Sequence, residues 1–240
     1  MKYKKTIGIT GASGALSRAL IRRFKNDGYK IIGFSHQKKR KKKKNPDCID
    51  EEPNEWVYWR YGKESLLKRA LQTVDILILN HGIYDAEITK QNFQNSIEIN
   101  SLSKIKIINM FEDIVFSQKK VTSKKEIWVN TSEAEIFPAL SPSYEISKSL
   151  IGQVISFKKN LLSKRERKKL IFRKIILGPF KSDLNPIGIM KPDYVALLIC
   201  LISRLNISLI VISLNPLTYL LFPLKEFYYF FYSKILRLIK

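Results

Sequence analysis

Thr6-Ile7-Gly8-Ile9-Thr10-Gly11-Ala12-Ser13-Gly14-Ala15-Leu16-Ser17 decides the fold. Residues 6–10 are apolar and β-branched and read as a buried strand. Glycines at 11 and 14 then let the backbone turn tightly into a helix, expected to reach about Asp27 and stop at Gly28. Such a turn brings main-chain N–H groups close to a pyrophosphate, whose charge sits at the positive end of the helix.

Working outward, the same alternation repeats. Strands are expected at 29–34, 56–59, 75–79, 126–130, 170–177 and 207–212. Helices are expected at 63–72, about 94–117, from near Pro142 to about Ser163, and after Pro192. Residues 35–55 are polar and lysine-rich, carry Pro46 and Pro53, and read as a loop. Strand–helix alternation implies right-handed crossovers and an α/β fold, a doubly wound parallel sheet with helices on both faces. Residues 1–212 form that domain, and 213–240 form an apolar, aromatic helical tail.

The chain has 240 residues, enough for one domain with a full core, and 45% of them are apolar, which argues against disorder. A formal charge of +22 favours anionic partners. Much of it lies in two runs, Lys38-Lys39-Arg40-Lys41-Lys42-Lys43-Lys44 and Lys164-Arg165-Glu166-Arg167-Lys168-Lys169. They read first as a solvated loop and a charged helix end, and second as a patch for anionic lipid or a phosphorylated ligand. No nucleic acid is expected, because aromatics do not interleave with either run. The cysteines, Cys48 and Cys200, lack metal-ligand spacing, so no metal is expected and a reduced, cytoplasmic compartment fits. The chain enters its first strand without an apolar signal segment, which argues against secretion.

Chemistry concentrates in Ser141-Pro142-Ser143-Tyr144-Glu145-Ile146-Ser147-Lys148. Ser141 caps a helix, Pro142 takes its first position, and Tyr144 and Lys148 share a face. An ammonium beside a phenol favours the phenolate, as proton transfer by a tyrosine requires. Upstream, a strand ends at Asn130-Thr131-Ser132, Asn100 lies in the long helix, and Asn80-His81-Gly82 closes an earlier strand.

In this order, the features resemble the short-chain dehydrogenase/reductase superfamily and its Rossmann domain, over roughly residues 4–212. The resemblance implies an NAD(P)-dependent oxidoreductase that moves a hydride between a nicotinamide and a small-molecule carbonyl or alcohol. It implies that Tyr144 exchanges the substrate proton and that Lys148 stabilises the phenolate and holds the nicotinamide ribose. Ser132 would hydrogen-bond the substrate oxygen, and Asn100 would anchor a water leading from Lys148. Gly11, Ser13, Gly14, Ala15 and Leu16 would cradle the pyrophosphate. Asn80, His81 and Gly82 would border the adenine ribose, with residues 176–179, Pro179 among them, and Ser182 beside the nicotinamide.

The second strand ends at Ser35-His36, where an NAD enzyme usually has an acidic residue. NADP(H) is therefore favoured, with NAD(H) the alternative. There are departures. Ser17 stands where the fingerprint has glycine. His81 stands where the family has alanine, and reads as structural rather than as a base. The family's serine spacing falls on Thr131, although Ser132 is preferred. Glu133 and Glu135 read as loop carboxylates or as ligands for a polar substrate.

Residues 128–135, 177–182 and 215–219 are similar to a bacterial dehydrogenase group labelled bifunctional sterol desaturase/short-chain dehydrogenase. The desaturase label does not carry over, since two histidines cannot build that iron site. In the tail, Pro223, Lys225 and Glu226 interrupt the apolar run, so no membrane span is expected. Aromatics mixed with lysines favour a helix lying in the membrane interface, on the cytoplasmic face. Packing on the domain or in a homodimer is the competing reading. The chain is thus expected to be a reductase or dehydrogenase acting on a lipophilic substrate. The alternative is a non-catalytic NAD(P)-binding scaffold or redox sensor at a membrane surface.

Overall fold

A computed structural model describes residues 3–36, 51–119 and 123–239. The lysine run at 38–44, Pro46 and Cys48 lie outside the described residues. Strands β1 (Thr6–Thr10), β2 (Lys30–Ser35), β3 (Glu55–Tyr58), β4 (Ile76–Leu79), β5 (Lys125–Asn130), β6 (Leu170–Leu177) and β7 (Leu209–Ile212) form one sheet. Its order is β3-β2-β1-β4-β5-β6-β7, and every neighbouring pair is parallel. The chain winds outward from β1 to β3 and returns to β4 on the other side of β1. That reversal opens a crevice beyond the C-terminal ends of β1 and β4, where doubly wound sheets bind ligands.

Side chains alternate along each strand, so the sheet feeds two cores. Ile7, Ile9, Ile78, Trp128, Ile175 and Ile210 pack under α1 (Ala15–Asn26) and α7 (Pro192–Ser203). Leu77, Leu79, Ile127, Val129 and Phe172 pack under α4 (Ser103–Ser117) and α5 (Pro142–Leu161). Cys200 belongs to the first core, and burial pushes its thiol up to about 12.

Three expected elements differ in detail. The helix expected at 63–72 is a tight 3₁₀ turn over Glu64–Leu67 followed by α2 (Lys68–Leu71). The last strand starts at Leu209, two residues after its expected start. The long helix begins earlier, as α3 (Lys90–Ile97), because the Thr89 hydroxyl accepts from Asn92 N at 3.1 Å and caps it. It then widens into one π turn over Glu98–Leu102 before α4. Residues 164–169 form the short α6 (Lys164–Lys169), closed by a capping box between Ser163 and Glu166.

The tail is a single helix, α8 (Pro216–Ile239), with Pro223 inside it. One face of it packs on α5. Phe222 is fully buried, and Phe157 of α5 meets Tyr229 edge-on at 5.0 Å. Among the described residues no helix is long and apolar enough to cross a membrane.

Candidate active site

The turn after β1 is built around Gly11. Its φ of +64° is a left-handed conformation that glycine adopts freely, and a Cβ there would stand 2.9 Å from His81 Cα. The chain then enters α1 at Gly14. Among the described residues no side chain caps this helix N-terminus, and its first turn holds no acidic group. The N–H groups of that turn therefore keep their positive end for an anion. Ser13, Ala15 and Leu16 lie on the same turn, with the Ser13 carbonyl accepting from Arg18 Nη1 at 2.9 Å.

Next to the turn stands the end of β4. The Thr10 hydroxyl accepts from Asn80 N at 3.0 Å and from His81 N at 3.3 Å, and lies 2.7 Å from His81 Nδ1. The ring of His81 meets Trp59 edge-on at 5.3 Å, and its Nε2 is enclosed without a partner among the described residues. Burial, then the nearby Lys104 and Lys148, hold this imidazole well below the usual histidine range, so it is neutral. A hydrogen-bonded structural role fits His81 better than a base would.

Ser17 turns out to be more than a small residue that lets helix and strand pack. It is fully buried, and its hydroxyl accepts from Asn80 Nδ2 at 2.7 Å. Asn80 Oδ1 in turn accepts from Asn130 Nδ2 at 2.7 Å. A side-chain ladder thus ties α1, β4 and β5 together under the crevice.

The catalytic candidates gather on the other side of Gly82. Asn100 sits in the π turn, where the widened backbone aims its amide at the chain after β4. Its Oδ1 accepts from Ile83 N at 2.8 Å, and its Nδ2 donates to Ile83 O and Ser147 Oγ, both at 3.0 Å. A Cβ at Gly82 would lie 2.8 Å from Asn100 Oδ1 and 3.8 Å from Lys148 Nζ, so the missing side chain makes room for both. Lys148 Nζ is 5.1 Å from the centre of the Tyr144 ring. Tyr84 packs edge-on against that ring at 5.3 Å. Ser141 caps α5 by accepting from Tyr144 N, as expected, and Pro142 takes the first turn.

Of the two candidate hydroxyls after β5, Thr131 is buried and donates to Ile175 O at 3.3 Å. Ser132 is only half-buried and accepts from Ala134 N at 3.2 Å. Glu133 and Glu135 face the tail. Glu133 accepts from Ser213 and Thr218 at the start of α8, and Glu135 Oε2 accepts from Lys174 at 2.8 Å and Lys225 at 3.0 Å. Ser35 closes β2 in a buried position, and His36 beyond it is exposed. After β6, Pro179 O accepts from Met190 N at 3.3 Å, and the Ser182 hydroxyl accepts from Asn185 N at 3.2 Å. That folds the 181–191 loop back along the sheet end.

Two buried lysines escaped the sequence reading. Lys104, one turn after Asn100, has no exposed surface and donates to Asn130 O at 3.2 Å. Burial, then the Lys148 charge, hold it well below the usual lysine range. Lys174 lies in the middle of β6, equally enclosed. In each case the available signal was a lysine standing in an apolar stripe.

The family model described as NAD dependent epimerase/dehydratase matches residues 7–146. The chain belongs to that family. A protein of Synechocystis named monoglucosyldiacylglycerol epimerase is 36% identical over 234 residues, 96% of this chain and 54% of the relative. The chain thus spans about half the length of that relative. That relative carries an epimerase name, not the desaturase label of the bacterial group to which the finer resemblance pointed. Solved structures share the fold. A short-chain dehydrogenase of Burkholderia cenocepacia in complex with NADP superposes with a TM-score of 0.72 at 13% identity, covering 88% of each chain. One of Sphingobium yanoikuyae in complex with NADPH reaches 0.70 at 15% identity over 90% of each. In the family the chain is a Rossmann-type NAD(P)-dependent protein, and its bare α1 terminus and Gly11 turn suit a dinucleotide's pyrophosphate.

Proposed function

We propose that this family member epimerises a carbinol carbon in the sugar headgroup of a glycosyl diacylglycerol, by removing a hydride and returning it to the opposite face. The observation that carries the reading is the cluster of Tyr144, Lys148, Asn100 and Gly82 beside an uncapped phosphate turn. The Synechocystis relative's name supplies the substrate class. When bound, the nicotinamide supplies the hydride acceptor and donor.

The chain's own groups handle the proton. Tyr144 Oη takes it from the carbinol hydroxyl as the C–H bond breaks, and gives it back when the ketone is reduced. Lys148 stabilises the phenolate that takes the proton first and is left again after the proton is returned, and it holds the ribose. Asn100 fixes the π turn against Ile83 and Ser147, which sets the height of the Lys148 ammonium over Gly82. Ser132 orients the substrate oxygen, since Thr131 already gives its hydroxyl to the sheet. NADP(H) is the preferred cofactor, because β2 ends at Ser35-His36 without a carboxylate for a free ribose hydroxyl.

The test incubates the protein and NADP⁺ with monoglucosyldiacylglycerol and follows sugar configuration by NMR alongside absorbance of the reduced nicotinamide. Configuration should change without net cofactor reduction, and Tyr144→Phe should slow it about a hundredfold or more. Stoichiometric accumulation of NADPH would make the chain a dehydrogenase instead. Unchanged turnover in Tyr144→Phe would remove the proposed acid–base role.

A further inference from the structure

The helix α8 has two faces of opposite character. Its buried positions, Thr218, Phe222, Glu226 and Ser233, follow the helical repeat and lie against α5. The outward face carries Leu217, Leu220, Leu224, Phe227, Tyr228 and Phe231, all exposed. At 1.5 Å per residue the strip runs about 36 Å over its 24 residues. Lys225, Glu226 and Arg237 are drawn off this face, and Lys234 lies at its border, 5.5 Å from the centre of the Phe231 ring. Lys225 reaches Glu135, Glu226 reaches Lys159 and Lys174, Arg237 reaches the carbonyls of Asn160 and Leu162, and Lys234 lies 4.5 Å over the Phe230 ring. An uncovered patch of this size marks a contact surface.

We infer that this face is where the protein lies down on an anionic lipid bilayer. Charge selects that occupant. The Arg237 contacts hold the end of α8 at the α5–α6 junction, where Lys164, Arg165 and Lys168 of α6 are exposed. Aromatic and leucine side chains bordered by cations are the composition of an interfacial helix. A second copy of the chain would bring its own +22 charge to the same face, whereas an anionic bilayer brings the opposite sign. The other end of the strip reaches the site, because Ser213 and Thr218 share Glu133, the residue after Ser132. Leu140, Ile187 and Ile189, strongly exposed on the loops after β5 and β6, extend apolar surface along that edge. Docking here sets the crevice mouth beside the lipid headgroups.

The surface suits the glycolipid reading but does not depend on it, and its test uses neither substrate nor cofactor. The full chain is sedimented with phosphatidylcholine vesicles, with and without phosphatidylglycerol. Binding should require the anionic lipid and weaken as salt rises. Phe227→Lys/Phe231→Lys should lose roughly tenfold or more in partition, and Lys164→Glu/Arg165→Glu/Lys168→Glu about a hundredfold, with circular dichroism unchanged. Both variants alter exposed side chains, and either alone tests the face if the other fails to fold. A full chain that stays in the supernatant overturns the inference. So does binding that both variants leave intact. A dimer in sedimentation velocity that the phenylalanine variant splits, without vesicle binding, would assign the face to a second copy.

Discussion

Lys174→Met is expected to destabilise the protein by about 3 kcal/mol, against about 1–2 for Glu226→Gln. Lys174 stands on interior strand β6 with no exposed surface. Its ammonium donates to Glu135 Oε2 at 2.8 Å, Glu226 Oε1 at 3.1 Å, Gly152 O at 3.1 Å and Ser156 Oγ at 3.3 Å. Breaking a buried pair from one side costs about 3–5 kcal/mol, because the charge left behind stays buried. Here two carboxylates are left behind, but each keeps one further lysine. Glu135 retains Lys225 and Glu226 retains Lys159, both at 3.0 Å. Those partners hold the loss near the lower bound. Glutamine at 226 instead leaves Lys174 paired with Glu135 and still offers an oxygen to Ser156. For a chain of this size the lysine change lowers Tm by about 6–12 °C. Urea melts and calorimetry measure both variants. Stability on the acid limb depends on Glu226. Burial works against ionised Glu226, but Lys174 and Lys159 outweigh it and hold the carboxyl below its usual range. Its contribution is therefore present above the ordinary carboxylate pKa and lost as pH falls through the lowered one. The wild-type advantage over Glu226→Gln should shrink along that limb. Equal costs for the two variants, or a lysine cost under about 1 kcal/mol, would refute the network as the tail's anchor.

Two further changes probe the crevice. Ser17→Gly restores the residue usual in the fingerprint, yet should cost about 1.5–3 kcal/mol in urea unfolding, because it strips Asn80 Nδ2 of its acceptor and adds glycine to a helix; a neutral result would mean that the ladder carries no stability. His81 is held neutral, so the unfolded chain takes up a proton that the folded one refuses. Stability should fall as pH drops below about 6.5, by up to about 1.4 kcal/mol per pH unit. The His81→Asn variant should lose that slope between about pH 5 and 6.5, above the range in which Glu226 contributes.

The parallel sheet and the phosphate turn were legible because both are written locally. Short apolar runs separated by helical stretches imply a parallel sheet with right-handed crossovers, and the turn's glycines stand next to the strand they end. The π turn at Glu98–Leu102 was not legible. Nothing in Glu98-Ile99-Asn100 signals a widened helix, since the cause is Ile83, whose N–H and C=O both bind the Asn100 amide from 17 residues away. The roles of Glu133 and Glu135 were hidden for the same reason. In sequence they follow the candidate hydroxyl of Ser132, and only folding brings Ser213, Thr218, Lys174 and Lys225 to them.

The two enclosed lysines show what kind of information sequence withholds. Both stand in apolar stripes, have no exposed surface and lose the same hydration. Desolvation alone would disfavour the charged form of both. Lys104 meets a single carbonyl and the like charge of Lys148, so nothing offsets burial and its ammonium form is disfavoured. Lys174 suffers the same burial, but Glu135 and Glu226 more than offset it and hold it above the usual range. The outcomes have opposite uses. Lys104 donates a hydrogen bond to Asn130 O under the crevice. A charged Lys174 bridges two carboxylates, Glu135 on the turn after Ser132 and Glu226 on α8, and so joins the tail to the loop that bears the candidate hydroxyl. Because the carboxylates come from 39 and 52 residues away, the ionisation of Lys174 is a property of the fold rather than of its neighbours in sequence.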